Sequence, residues 1–361
     1  MQVDISNNLS LTIEETANLI LRVGSKRSVL VEGEMGIGKS TLLDILSKML
    51  PDHEPVYFDC TTKDLGDIML PKISSEDDKE YSEFVPNEEL GIHHDKPVIL
   101  MIDEFGKANG GVKAALTRVI LEGKIATKAF HPDSYIFATT NLMGEGVGDS
   151  LLAHQWNRLI RVELRKPTEL EWRMGYAMLN DVDPVVINFV KEFPQVMQSF
   201  QEVQDYEDNP YIFHPQAERV SFVTPRSLVA ASDIVKLRDV LSKKELRAAC
   251  SGTIGEAATR DMMAFIELAD QLPTLESIKK SPATAIVPTN ASAVCMVVYR
   301  ALQTIEKDWA RAWLTYFVRL PKEAQALFAQ GVTHKNHPQR AHMVLIAEFT
   351  EWCRENNYLY T

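Results

Sequence analysis

Short apolar runs alternate with helical patterns over the first part of the chain. Apolar positions in "LTIEETANLILRV" (11–23) recur at helical spacing and predict an amphipathic helix. Five short apolar runs predict β-strands, at residues 28–32, 55–59, 98–102, 134–139 and 159–164. Because helical patterns separate these runs, they predict an α/β fold with a parallel sheet covered by helices on both faces.

From about residue 167 the strand patterns stop, and the remaining sequence predicts helices. Thr168 and Glu171 have the spacing of a capping box at the start of one of them. Farther along, large apolar side chains recur at helical spacing and predict a buried helix face, formed by Trp309, Trp313, Tyr316, Phe317 and Leu320. The chain therefore changes from an α/β part to a helical part near residue 165.

Residues 72–96, "KISSEDDKEYSEFVPNEELGIHHDK", interrupt the alternation. This stretch is acidic, polar and long for a connection between two strands. Loops of this length are usually functional or mobile, and we expect this segment to be one of them.

Composition restricts the classes of ligand. The 361 residues suggest two or three domains, and 45% are hydrophobic, which is typical of a globular chain. There are 38 Lys and Arg against 50 Asp and Glu, so the formal net charge is −12. An acidic chain without a block of Lys and Arg argues against duplex DNA as the main ligand. The net charge does not exclude a local basic pore.

The predicted compartment is the cytoplasm. The first residues, "MQVDISNNLSLT", have neither a basic segment nor an apolar segment of a secretion signal. No stretch approaches 18 apolar residues, so we expect no membrane span. The cysteines are widely scattered and form no C-x-x-C pair, which favours reduced thiols: Cys60, Cys250, Cys295 and Cys353.

The stretch "VEGEMGIGKSTLLDIL" (31–46) carries the strongest chemical signal. A predicted strand leads into a loop with three glycines, and a helical pattern follows; the glycines are Gly33, Gly36 and Gly38. This spacing is the P-loop pattern, in which backbone N–H groups and a helix N-terminus bind phosphate. Lys39 can reach the β- and γ-phosphates of a nucleotide. The Ser40 hydroxyl can bind Mg²⁺, and Thr41 is a polar residue at the helix start.

The run "VILMIDEF" (98–105) places two carboxylates at the end of a buried strand. Ligands of open α/β sheets bind at this edge. Asp103 can bind Mg²⁺, directly or through water, and Glu104 can orient and polarise the attacking water.

Two further polar residues follow predicted structural elements. Asn141 ends the strand "FATTN" and could hold the lytic water or the γ-phosphate, although an ordinary Asn at a loop start is the alternative. The following "GEGVG" (144–148) predicts a flexible loop.

In "VTPRSL", Thr224 is a good N-cap and Pro225 suits the first helical position. Arg226 in that first turn opposes the helix dipole, which a nearby phosphate would explain; a surface arginine is the alternative.

An arginine could also act between subunits. Arg158 in "HQWNRLIRVEL" precedes the last predicted strand and could reach a neighbouring subunit's γ-phosphate. Arg161 is a second candidate inside that strand. From sequence alone, a surface salt bridge explains either residue equally well.

The order P-loop, Asp-Glu, Asn and two arginines resembles the AAA+ ATPases, and within them the MoxR-like group. The most specific stretch is "ATTNLMGEGVGDSLLAHQWNRLIRVELRKPTELEW"; "TKDLGDIMLP", "DEFGKANGGVKAALTRVILEGKI" and the lid-like "TPRSLVAAS" also resemble this group. "GTIGEAATRDMMAFIEL" and "LPTLESIKKSPATAIVPTNASA" resemble the tail of a subgroup often encoded beside a von Willebrand A domain protein.

The resemblance implies specific roles and an assembly. Lys39 and Ser40 correspond to Walker A, Asp103 and Glu104 to Walker B, Asn141 to sensor 1, Arg158 to the trans-acting finger and Arg226 to sensor 2. It implies an oligomeric ring, usually a hexamer, with ATP and Mg²⁺ bound between subunits. The expected domains are an α/β nucleotide domain (1–165), a helical lid (166–275) and a helical C-terminal extension (276–361).

Three hypotheses of function follow. The favoured one is an ATPase that remodels or activates a protein partner, plausibly one with a von Willebrand A domain. The second is a nucleic-acid motor or loader, against which the acidic charge and the absence of a recognisable DNA-binding module argue. The third is a scaffold that binds ATP and hydrolyses it slowly, against which the presence of Glu104 argues.

Overall fold

The chain divides into two compact units at the boundary between Lys166 and Pro167. The computed structural model describes residues 9–76, 79–142, 145, 159–269 and 271–356. Each unit has its own hydrophobic core. The two units are therefore treated separately.

The first unit is built on a parallel sheet. The strands described in this unit are, in chain order, β1 (Val29–Glu32), β2 (Glu54–Asp59), β3 (Met69–Glu76), β4 (Lys79–Pro86), β5 (Val98–Asp103), β6 (Lys124–Ile125), β7 (Lys128–Ala129), β8 (Tyr135–Thr140) and β9 (Ile160–Glu163). Five of them form one sheet in the order β2-β5-β8-β1-β9, and every pairing in it is parallel. These five are the strands that the apolar runs predicted.

Helices cover both faces of this sheet. They are α1 (Ile13–Val23), α2 (Thr41–Met49) and α3 (Gly110–Glu122). On one face, Val29 and Val31 of β1 pack in a core with residues of α1 and α2. On the other face, Leu30 packs in a second core with residues of α3. Successive strand residues point to opposite faces, so a strand buried on both sides is apolar throughout. The predicted fold class is confirmed.

The segment at 72–96 differs from the expected loop. Most of it belongs to an antiparallel hairpin in which β3 pairs with β4, from Met69 opposite Pro86 to Glu76 opposite Lys79. Apolar side chains on this hairpin are exposed; Ile73, for example, is 77% exposed. Because neither face is buried, the sequence shows no regular alternation of apolar and polar residues, and the pattern missed both strands.

The regular secondary structure that the structure describes in the second unit is helical. Its helices are α4 (Glu169–Gly175), α5 (Pro184–Glu192), α6 (Pro225–Lys236), α7 (Lys243–Ile254), α8 (Glu256–Ala269), α9 (Leu275–Lys280), α10 (Ala291–Thr304), α11 (Ala310–Phe317), α12 (Lys322–Thr333), α13 (Arg340–Met343) and α14 (Ala347–Glu355). The predicted capping box of Thr168 and Glu171 opens α4. One continuous core includes residues from α4 through α14.

The apolar stripe near the C-terminus is part of this core. All five residues that the pattern placed there are buried: Trp309, Trp313, Tyr316, Phe317 and Leu320. Among the described residues, no helix has the length and apolar character that crossing a membrane requires. The four cysteines all lie in the described residues and form no disulfide, and Cys60, Cys250 and Cys295 are buried.

Candidate nucleotide-binding site

The glycine-rich loop joins β1 to α2, as its sequence predicted. Gly36 and Gly38 have φ values of 72° and 101°, a region that glycine adopts without strain. At Gly33 the reason is space, because an added Cβ would lie 2.6 Å from Ile37 Cδ1 and 2.9 Å from the Leu164 carbonyl oxygen. The three glycines thus allow a tight turn against the end of β1.

Lys39 is buried at the centre of this loop. Its Nζ donates to the carbonyl oxygens of Gly33 at 2.7 Å and Glu34 at 2.9 Å. It also donates to Asn141 Oδ1 at 2.7 Å. The ammonium group is therefore held where the loop closes, with hydrogen bonds in place of water.

Ser40 and Thr41 begin the following helix. Ser40 is the residue before α2 and makes no side-chain capping hydrogen bond. Thr41 N–H donates to the Gly38 carbonyl at 3.0 Å, which tightens the first turn. The Ser40 hydroxyl is half-buried and is not used to cap α2.

Asp103 ends β5 and is held by neighbouring strands. Its Oδ2 accepts a hydrogen bond from the Tyr57 hydroxyl of β2 at 2.8 Å. Its Oδ1 accepts from the Thr139 hydroxyl of β8 and from Glu104 N–H, the latter at 3.0 Å. These bonds fix the carboxylate at the edge of the sheet. An oxygen donor set of Asp103 carboxylate and Ser40 hydroxyl fits a hard cation such as Mg²⁺.

Glu104 turns the chain sharply away from the sheet. Its φ of 54° and ψ of 33° are left-handed, which is uncommon for a residue with a side chain and often found at functional sites. Its Oε2 lies 2.9 Å from Lys107 Nζ in an ion pair. Asn141 Nδ2 lies 3.5 Å from its other oxygen, the limit of a hydrogen bond.

Asn141 connects the loop to the acidic pair. It is buried directly after β8, and it contacts both Lys39 and Glu104. Strands β1, β8 and β5 are neighbours and run parallel, so their carboxyl ends meet at one edge. The structure thereby brings together Lys39, Asp103, Glu104 and Asn141.

The structure describes two of the three candidate arginines. Arg158 lies outside the described residues. Arg226 is exposed in the first turn of α6, in the second unit, behind the predicted Thr224 N-cap. Arg161 of β9 forms an ion pair with Glu32 of β1. Burial raises the pKa of Glu32, and Arg161 partly offsets that rise.

Sequence reasoning missed several groups at this edge. Tyr57 and Thr139 lie inside apolar runs, where nothing distinguished them from core-forming residues. Glu145 belongs to the stretch predicted as a flexible loop, and most of that loop is outside the described residues. Its carboxylate oxygens accept hydrogen bonds from Met35 N–H at 3.1 and 3.0 Å. Burial raises the pKa of Glu145 to about 7, against the lowering effects of the Met35 N–H and Lys39.

Comparisons with known proteins find solved structures that are distantly similar to this chain. No protein-family model and no curated protein matches the chain. A solved RuvB mutant from Thermotoga maritima is similar with a TM-score of 0.36 and 15% identity, over 77% of this chain and 76% of that one. A putative ATPase from Cytophaga hutchinsonii has a TM-score of 0.33 and 12% identity, over 69% and 83% of the two chains.

A full-length MCM homologue from Methanopyrus kandleri has a TM-score of 0.29 and 12% identity, covering 69% of this chain and 53% of that one. Similarity at these sequence identities and TM-scores does not assign a function. The fold class rests on the sheet order and the helical layers of the chain itself.

Proposed function

We propose that the chain is an ATPase of the AAA+ type that hydrolyses Mg-ATP. The observation that carries the proposal is the contact of Asn141 with both Lys39 and Glu104, beside a P-loop. A phosphate-binding loop alone supports nucleotide binding. The added carboxylates at the same sheet edge supply the groups that hydrolysis requires.

The binding half of the reaction uses the loop and α2. Backbone N–H groups of the loop and the N-terminus of α2 favour an anion. Lys39 would exchange its carbonyl partners for β- and γ-phosphate oxygens. Ser40 and Asp103 would hold Mg²⁺, which when bound neutralises charge on the phosphates and leaving group.

The hydrolytic half uses Glu104 and Asn141. Glu104 would accept a proton from the attacking water, and Asn141 would hold that water or a γ-phosphate oxygen. The left-handed backbone of Glu104 places its carboxylate beside Asn141 rather than along β5. The Lys107 ammonium pairs with this carboxylate, and the ion pair must loosen for Glu104 to reach a water.

The finer part of the proposal rests on sequence resemblance to the MoxR-like group. The chain would work as a ring, with Arg158 completing the neighbouring subunit's site and Arg226 sensing the γ-phosphate from a lid at 166–275. ATP hydrolysis would remodel a protein partner that has a von Willebrand A domain. The acidic net charge of −12 favours a protein partner over nucleic acid.

The test is nucleotide binding and phosphate release by matched variants. Lys39→Ala should lose nucleotide binding, because the phosphates lose a buried cation. Glu104→Gln should bind ATP normally yet hydrolyse it about 10²-fold or more slowly. Lys48→Ala is the control, since Lys48 is exposed near the end of the same helix α2. Wild-type binding by Lys39→Ala would rule out the assigned loop.

The partner is tested separately. We expect the ATPase rate to rise on adding a coexpressed von Willebrand A domain protein and to be unchanged by single-stranded DNA. Stimulation by DNA alone would favour the motor or loader hypothesis. A wild-type rate no higher than that of Glu104→Gln would favour a nucleotide-binding scaffold.

A further inference from the structure

A carboxylate from the chain itself lies on the phosphate-binding loop. Glu145 is 9% exposed, and both of its carboxylate oxygens accept from Met35 N–H, at 3.1 and 3.0 Å. Glu145 N–H in turn donates to the Leu142 carbonyl at 3.2 Å. Leu142 lies two residues after the end of β8.

The contact has the chemistry of phosphate binding. Loops of this kind attract anions because their N–H groups point into one concavity. A carboxylate resembles a phosphate edge, with two oxygens that share one negative charge. Lys39 adds an attraction, which acts to lower the pKa of Glu145. Glu145 therefore occupies an N–H group that the loop would otherwise offer to a nucleotide.

The same surroundings make this contact displaceable. Burial acts most strongly on Glu145 and raises its pKa to about 7, so desolvation opposes the charged form. The nearby Glu34 carboxylate also opposes that charge. A phosphate group carries more charge than a carboxylate and can bind several loop N–H groups at once, so a nucleotide can replace Glu145.

We propose that Glu145 is an affinity-determining residue of the nucleotide site, where its carboxylate occupies the loop and a phosphate must displace it. This inference rests on the proposed nucleotide-binding function. Nucleotide then binds only the fraction of molecules in which Glu145 has left Met35. The apparent affinity falls by that fraction, and removing the carboxylate restores it.

The test uses Glu145→Gln and Glu145→Ala with a fluorescent ADP analogue and Mg²⁺. If Glu145 is displaced in 10–30% of molecules, Glu145→Ala should bind about 3- to 10-fold more tightly. Glu145→Gln should show an intermediate gain, because its amide is neutral but still has an acceptor oxygen. Most of the gain should appear in the association rate, since the competing state precedes binding.

Glu34→Gln controls for the change in charge. Glu34 is a buried carboxylate on the same loop, but its Oε2 faces Lys166 Nζ at 3.9 Å and not Met35 N–H. We expect its affinity gain to be clearly smaller than that of Glu145→Gln. Equal gains in both variants would mean that charge alone acts, and the proposed competition would be wrong.

Two other results have distinct meanings. Unchanged or weaker binding by both Glu145 variants, while Lys39→Ala still loses binding, overturns this proposal and leaves the proposed function in place. No binding by the wild type or any variant overturns the proposed function, and this inference with it. Thermal melting of each variant verifies that the compared proteins are folded.

Discussion

The two units use their buried polar side chains differently. In the second unit several of these groups bond backbone: Asp183 caps α5 by accepting from Val185 N–H at 2.8 Å, and Gln325 donates to the Leu320 carbonyl at 2.7 Å. His337 bonds the Leu302 carbonyl at 3.0 Å, and burial lowers its pKa. In the first unit, four polar side chains are buried at one sheet edge, where Lys39 bonds Asn141 and Thr139 bonds Asp103.

The difference distinguishes buried polar groups that stabilise the fold from those that we propose to bind a ligand. Burying a polar group is costly unless a hydrogen bond compensates, so every such group needs a reason to be inside. In the second unit the reason is a helix end, a backbone carbonyl or, for Arg173, an ion pair with Glu169 and a bond to the Tyr299 hydroxyl. In the first, Lys39 and Asn141 bond each other across 102 residues and close no helix or turn between them. In the proposed function, the anion that these two groups would share accounts for their arrangement.

The largest expected effect on activity concerns a residue that another subunit would supply. If Arg158 acts in trans, Arg158→Ala should keep ATP affinity and lose turnover by roughly 10²- to 10⁵-fold. Mixing it with Lys39→Ala subunits should partly restore hydrolysis, because some interfaces would combine an intact loop with an intact finger. Phosphate release by the mixture measures this.

Arg161→Ala is the companion variant, since Arg161 is already paired with Glu32 of its own chain. A mixed assembly, verified by mass, that regains no activity would exclude a trans role for Arg158. The same recovery experiment with Arg161→Ala would then examine the alternative.

A core substitution in the second unit should lower the stability of that unit and leave nucleotide affinity nearly unchanged. Trp313 is fully buried in α11 and packs against Phe328, with ring centroids 5.2 Å apart. Trp313→Ala should destabilise the second unit by about 3–5 kcal/mol, through lost burial and the cavity that remains. Nucleotide affinity of the folded protein should stay within about twofold of wild type, because each unit has its own core.

Urea unfolding followed by circular dichroism measures the first quantity, and titration with nucleotide measures the second. Trp313→Phe is the milder variant if Trp313→Ala does not fold. A parallel loss of affinity and stability would show that the second unit supports the loop directly.

The smallest expected effects come from substituting two buried asparagines, one in each unit. Asn141→Ala should lower turnover by about tenfold or more, because Lys39 and the attacking water lose a partner. Asn209 is buried in the second unit, where it donates to the Gln195 carbonyl at 2.8 Å and accepts from Tyr211 N–H at 3.2 Å. Asn209→Ala should cost about 1–3 kcal/mol of stability and leave turnover unchanged.

Steady-state kinetics and urea unfolding on both variants distinguish these outcomes. Exchanged effects, with Asn209→Ala lowering turnover and Asn141→Ala lowering stability, would contradict the functional reading of the sheet edge.

Local sequence was enough for the elements and for part of the site. The five parallel strands, the helix caps at Thr168 and Thr224 and the buried stripe around Trp313 all follow from spacing between near neighbours. The glycine-rich loop is equally local, because its φ values and its following helix depend on consecutive residues. The hairpin of β3 and β4 escaped prediction because both of its faces are exposed.

Only the tertiary structure decided which polar groups meet. Nothing in the spacing of Tyr57, Thr139 or Glu145 indicates that the first two hold Asp103 or that the third reaches Met35. Strand order brings these residues to one edge, and strand order is set by packing between segments far apart in the chain. The sequence by itself therefore determined the loop and its lysine, while the sheet determined the partners that the lysine and the acidic pair contact.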